Sequence, residues 1–105
     1  MMVKMMQEIK NILEKTPYFY CEICFIRGSL LTNEYNSNSD IDLLIISSDF
    51  KCMSYLKRRQ LIRKTMKDMN TKIDVDAICL STDEYMQLLY ERRQMFRDER
   101  MERII

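Results

Sequence analysis

The residue types best suited to chemistry lie between positions 28 and 42, in the run GSLLTNEYNSNSDID. Gly28 and Ser29 form a turn-prone pair, separated by ten residues from Asp40 and Asp42, which open the apolar run Leu43 to Ile46. On an extended strand successive side chains alternate faces, so Asp40 and Asp42 project to the same side, one pleat apart. Two carboxylates held so close repel each other unless a cation lies between them. Mg²⁺ is usually held by one or two carboxylates together with substrate phosphates. A Gly-Ser turn offers those phosphates backbone N–H groups and a hydroxyl. The segment reads as a metal–nucleotide site.

Each of these residues also has a plainer reading. One aspartate could cap a turn while the other faces solvent on an edge strand. Leu43 to Ile46 argues against this, because a strand apolar on both faces is a central one, and a half-buried carboxylate pair without a cation is costly. A third carboxylate is expected from a neighbouring strand. Asp74 and Asp76 both qualify, and period two puts them on one face. Gly28 and Ser29 alone make only a turn; their weight comes from the spacing to the aspartates. Arg27 is placed either to meet phosphate or to cap its strand. Asn33, Ser37 and Ser39 are loop formers, with Ser39 positioned to brace the aspartate turn.

The elements that must position these residues follow from periodicity. Met5, Met6, Ile9, Ile12 and Leu13 recur at helical spacing over residues 3 to 15, and Pro17 closes that helix. A strand is predicted from Tyr18 to Ile26, broken by Gly28, with a short helix or turn from Ser29 to Tyr35. The second strand spans Asp40 to Ile46. Ser47, Ser48 and Asp49 offer N-caps to a long helix from Phe50 to Met69. Its expected buried stripe is Met53, Leu56, Leu61, Ile62, Met66 and Met69; Lys57, Arg58, Arg59, Arg63, Lys64 and Lys67 solvate the rest. A third strand runs from Lys72 to Leu80. Ser81 and Glu84 have capping-box spacing for a last helix reaching Arg103. Helices alternating with short strands imply an α/β (α+β) sandwich around a small mixed sheet of three or more strands.

Composition narrows the function. At 105 residues the chain is expected to form a single domain over 1–105. Its apolar runs are no longer than a strand, so no membrane span is expected. The N-terminal segment is amphipathic, without the apolar core of a secretion signal, and a cytoplasmic location is expected. A net charge of +1 argues against nucleic-acid binding driven by bulk charge. Histidine is absent, so catalysis must rest on carboxylates, hydroxyls, thiols or a bound metal. Cys21 and Cys24 form a CxxC, but on a strand residues three apart face opposite sides, and no second pair completes a zinc site. Reduced thiols are expected. The basic face of the long helix reads as a solvated one. The last helix carries more apolar residues than a small sheet needs, from Tyr85 and Met86 to Ile104 and Ile105, which suggests a protein interface.

The pattern GSLLTNEYNSNSDIDLLIIS, followed after a helix by VDAICLSTDEY, resembles the minimal nucleotidyltransferases of the polymerase-β superfamily. The resemblance covers roughly residues 20 to 90. It places Gly28 and Ser29 at the phosphate turn and Asp40 and Asp42 at the metal positions. Asp76 takes the third carboxylate in preference to Asp74, because it lies five residues before Ser81 as the family's Asp lies before its Thr. Leu30 and Thr32 stand where small members often carry Arg, and Asn33 replaces a Gly.

The resemblance implies a polymerase-β-like fold and a mechanism using two Mg²⁺ ions with ATP as donor. Asp40 and Asp42 would hold both ions; Asp76 would hold one and could take the proton of the attacking hydroxyl. Small standalone members resemble antitoxins paired with a helical HEPN-type toxin, whose tyrosine they adenylylate. Transfer of AMP to a partner protein's hydroxyl is therefore the leading expectation. Two alternatives stand beside it: a catalytically weak module that neutralises its partner by contact, and small-molecule transfer of the aminoglycoside type across a homodimer cleft.

Overall fold

The computed structural model describes residues 2–27, 41–71, 73–91 and 101–105. Helix α1 (Met2–Lys15) is followed by strands β1 (Ile23–Arg27) and β2 (Ile41–Ile46) and a short 3₁₀ helix, Ser48–Phe50. Helix α2 (Tyr55–Asp68), strand β3 (Val75–Leu80), helix α3 (Thr82–Glu91) and strand β4 (Met101–Arg103) complete the order. The four strands form one mixed sheet in the order β3-β2-β1-β4. β1 runs antiparallel to β2 and β4, whereas β3 runs parallel to β2. A parallel neighbour needs a crossover, and α2 supplies it.

Alternation along the strands sorts the core into two layers. Cys24 and Ile26 of β1, Ile41, Leu43 and Ile45 of β2, and Cys79 of β3 meet Ile9 and Leu13 of α1 and Ile62 of α2. On the opposite face Leu44, Ile46 and Leu80 pack with Ile23, Phe25 and the α3 residues Tyr85 and Leu88. β2 is thus central and covered over most of its length, as its two-sided apolar run requires. The 3₁₀ helix exists to bury Phe50, which is fully enclosed and meets Phe19 with ring centroids 5.0 Å apart. No helix among the described residues is long and apolar enough to cross a membrane.

Several element boundaries differ from expectation. The first strand starts at Ile23 rather than Tyr18, because Tyr20 N–H is taken by the Asp49 carboxylate (2.8 Å) and Tyr18 N–H by the Thr16 hydroxyl (3.3 Å). The long helix begins at Tyr55, capped by the Ser54 hydroxyl accepting from Lys57 N–H; Ser47 caps the preceding 3₁₀ turn instead. Leu56 and Met69 are exposed rather than buried, and Arg58 is buried rather than solvated. The third strand is shorter, starting at Val75. The last helix is described as far as Glu91, and Met101–Arg103 is not helix but a strand on β1. Ile104 and Ile105 consequently pack on the core, while Met86 and Tyr90 remain exposed. The expected turn from Ser29 to Tyr35 lies outside the described residues.

The two CxxC thiols also sit differently from expectation. Cys21 precedes β1, so strand alternation does not govern it, and both thiols lie in the same core layer. Cys21, Cys24, Cys52 and Cys79 are free thiols. An interaction with Cys21 and then burial push the Cys24 thiol far above its ordinary range.

Candidate active site

β2 brings Asp42 to the sheet face that carries Leu44 and Ile46, and β3 brings Asp76 to the same face beside Ile78 and Leu80. The parallel register pairs Asp42 with Asp76 directly, as it pairs Leu44 with Ile78 and Ile46 with Leu80. Adjacent strands lie about 4.8 Å apart, so the two side chains leave the sheet as neighbours. Across the other edge of β2, the antiparallel register pairs Arg27 with Asp42. Arg27, Asp42 and Asp76 therefore form one row across three strands.

α3 covers only one end of this face. Its contacts reach Leu44, Ile46 and Leu80, at the C-terminal ends of β2 and β3. At the opposite end Asp42 is half-buried and Asp76 is exposed. Asp74 stands just before β3, exposed, with its carbonyl accepting from Ile41 N–H at 2.9 Å. Among the described residues, no three Asp, Glu or Cys side chains converge as a metal cluster. The described part of the site is a pair of aspartates. Asp40, Gly28, Ser29 and Ser39, which sequence places with them, lie outside the described residues.

The position of α3 depends on a capping box. Ser81 N–H donates to Glu84 Oε1 at 2.7 Å, and Glu84 N–H donates to Ser81 Oγ at 3.2 Å. The same carboxylate oxygen accepts from Arg58 Nη1 at 2.6 Å. Arg58 is 3% exposed, and its guanidinium also donates to the carbonyls of Met53 and Cys79, both at 3.1 Å. One buried cation thus ties α2, the end of β3 and the start of α3 together. Burial would raise the Glu84 pKa, but the bonds from Ser81, Arg58 and Tyr55 outweigh it and hold the carboxyl down at about 2.

Sequence reasoning missed Arg58, although a signal was present. Arg58, Ile62 and Met66 are spaced by four and form one stripe on α2, so an arginine inside that stripe marks a buried cation. It also passed over the flank of β3. There Arg59, Arg63 and Lys67 of α2 face Asp74 to Ala77 across an open cleft of about 510 Å³.

A small mixed sheet of this order, with helices on both faces and neighbouring aspartates on parallel strands, is consistent with a nucleotidyltransferase domain. Residues 7–97 match the polymerase beta nucleotidyltransferase family, and the chain belongs to that family. In fold it is similar to a candidate nucleotidyltransferase from Sulfolobus solfataricus, with 23% identity and a TM-score of 0.59 over 95% of this chain and 80% of that one. It is also similar, at 14% identity and a TM-score of 0.43, to a chain in the complex of tri-AMPylated Shewanella oneidensis HEPN toxin with MNT antitoxin, over 93% of this chain and 98% of that one. No curated protein matches the chain.

Proposed function

We propose that the protein is a Mg²⁺-dependent nucleotidyltransferase that moves AMP from ATP to a hydroxyl on a partner protein, as the antitoxin of a HEPN-type pair. The observation that carries this reading is the Asp42–Asp76 register on the open sheet face, in a chain of this family. Two neighbouring carboxylates are hard oxygen donors suited to Mg²⁺, and their mutual repulsion gives a divalent cation a reason to bind. When bound, the metal would neutralise triphosphate charge and acidify the attacking hydroxyl.

The chain's own residues have separate tasks in this reading. Asp42, half-buried beside Arg27, would hold metal in a fixed position. Asp76, exposed at the sheet edge, would hold metal and accept the proton of an incoming hydroxyl. Asp40 completes the carboxylate set, while Gly28, Ser29 and Ser39 take the phosphates.

The test is transfer of label from α-labelled ATP with Mg²⁺ to the protein encoded by the neighbouring gene, beside an Asp42→Asn control. Transfer that disappears in the control supports the enzyme. A tight complex without transfer in either sample would instead mark a module acting by contact.

A further inference from the structure

Among the described residues β3 is an edge strand of the sheet. Asp74 and Leu80 direct their carbonyls to β2, accepting from Ile41 and Ser47 N–H at 2.9 and 3.0 Å. In a parallel ladder alternate residues turn both backbone groups the same way. Val75, Ala77 and Cys79 therefore point theirs outward. Arg58 satisfies the Cys79 carbonyl. The outward N–H and C=O of Val75 and Ala77 have no partner among the described residues.

An exposed row of this kind is a template for another strand, and proteins normally block it. Among the described residues this flank is open. One cleft of about 510 Å³ runs between this edge and α2, and a second of about 240 Å³ continues it past Ile78 to Tyr55. Arg59, Arg63 and Lys67, spaced by four, line the α2 side, and none of their side chains has a salt bridge or hydrogen bond among the described residues. On the other side of the edge stand Asp76 and the half-exposed Ile78.

We infer that the outer edge of β3 and the cationic face of α2 form a docking groove for an extended acidic segment of a partner protein, which adds to the sheet beside β3. Backbone pairing at Val75 and Ala77 supplies the register, as in other strand-addition complexes. Side chains of the docked strand alternate. Those on the α2 side meet three cations and must be acidic; those on the other side meet Ile78 and should be apolar. A nucleic acid fits less well, because it offers no repeating backbone donors and acceptors to pair with the outward groups of Val75 and Ala77. The groove stands on geometry and charge alone, so it does not depend on the transfer reaction.

The test measures binding of a labelled peptide of alternating Glu and Val by fluorescence anisotropy, at more than one salt concentration. The comparisons are an alternating Lys–Val peptide, an N-methylated Glu–Val peptide and single-stranded RNA. Ala77→Pro removes one outward N–H and leaves the β2 ladder intact, since proline is tolerated on an outward-facing edge. The Glu–Val peptide should bind, and Ala77→Pro should weaken it about tenfold. Charge reversal by Arg59→Glu with Arg63→Glu should abolish it and admit the Lys–Val peptide. N-methylation of the peptide tests the same backbone bonds in the unaltered protein, should Ala77→Pro fail to fold. Failure of the Glu–Val peptide to bind, indifference to N-methylation, or preference for RNA would overturn the inference.

Discussion

Asp42 and Asp76 are register partners across the parallel β2–β3 ladder, so their carboxylates leave the sheet side by side on the end of the face that α3 does not cover. Arg27, in register on the far side of Asp42, offsets one charge of the row and leaves the other. Like charges so placed oppose folding until a cation arrives. Mg²⁺ should therefore raise the melting temperature of the wild type, and Asp42→Asn and Asp76→Asn should abolish that rise. Without metal both variants should melt at or above the wild-type temperature, because each removes repulsion. If the proposed transfer holds, each should lose at least about 100-fold in rate, since several kcal/mol of transition-state stabilisation would depend on these carboxylates. Retention of the metal-induced rise in both variants would dismiss the pair as the site.

Arg58 and Glu84 join α2 to α3 at 2.6 Å, with the cation buried and the carboxylate about one third exposed. Glu84→Ala removes the buried charge's only carboxylate among the described residues and breaks the capping box, so a loss of about 3 kcal/mol is expected. Arg58→Met leaves the Met53 and Cys79 carbonyls without their donor and should cost about 2 kcal/mol. Glu84→Gln keeps an acceptor and should cost least. Urea unfolding of the three variants checks the order.

The same pair sets an acid limit. The Glu84 pKa is about 2 in the folded chain against an ordinary 4.5, so folding favours the ionised form. Its contribution is complete above about pH 4.5 and disappears as pH falls towards 2. Solvent screening makes it smaller than that shift implies. In urea titrations across this window, wild type should lose stability more steeply than Glu84→Gln. Parallel curves would deny Glu84 this role.

Much of this arrangement could be read from residue order, and the misses share a cause. Leu43 to Ile46, apolar on both faces, marked β2 as central, and Ser81 with Glu84 marked the start of α3. Both are local patterns. β4 was missed because three residues, Met101 to Arg103, carry little local preference and become a strand only by pairing with β1. Arg58 reads as solvated by its residue type, and only its place in the stripe with Ile62 and Met66 points to burial. Asp76 could not be separated from Asp74 by period two. The register places Asp76 opposite Asp42, while Asp74 stands before the strand.

The end of α2 supplies a backbone test. Asn70 has φ of 52°, in the left-handed region, and its N–H donates to the Lys67 carbonyl at 3.0 Å while Thr71 N–H reaches Met66 at 3.4 Å. Glycine and asparagine tolerate this conformation, whereas a β-branched side chain strains it. Asn70→Val should cost about 1 to 2 kcal/mol, and Asn70→Gly should change stability by about 0.5 kcal/mol or less. Thermal unfolding of both variants checks this, and an unaffected Asn70→Val would mean that the turn relaxes.

Thiol reactivity offers a readout of the intact core. Cys52 is exposed, whereas Cys21, Cys24 and Cys79 are buried. Burial pushes the Cys79 thiol up to about 12, with Arg58 and Arg59 only partly opposing it. The thiolate is the reacting form, so a buried thiol held that high is inert at neutral pH. A disulfide-exchange reagent such as DTNB should therefore modify Cys52 alone in the folded protein, and all four cysteines in urea. Cys52→Ser should silence the folded protein. Rapid modification of Cys21 or Cys24 in that variant would mean that the segment before β1 opens readily, and the core layer shared by α1, α2 and the sheet would be looser than its packing indicates.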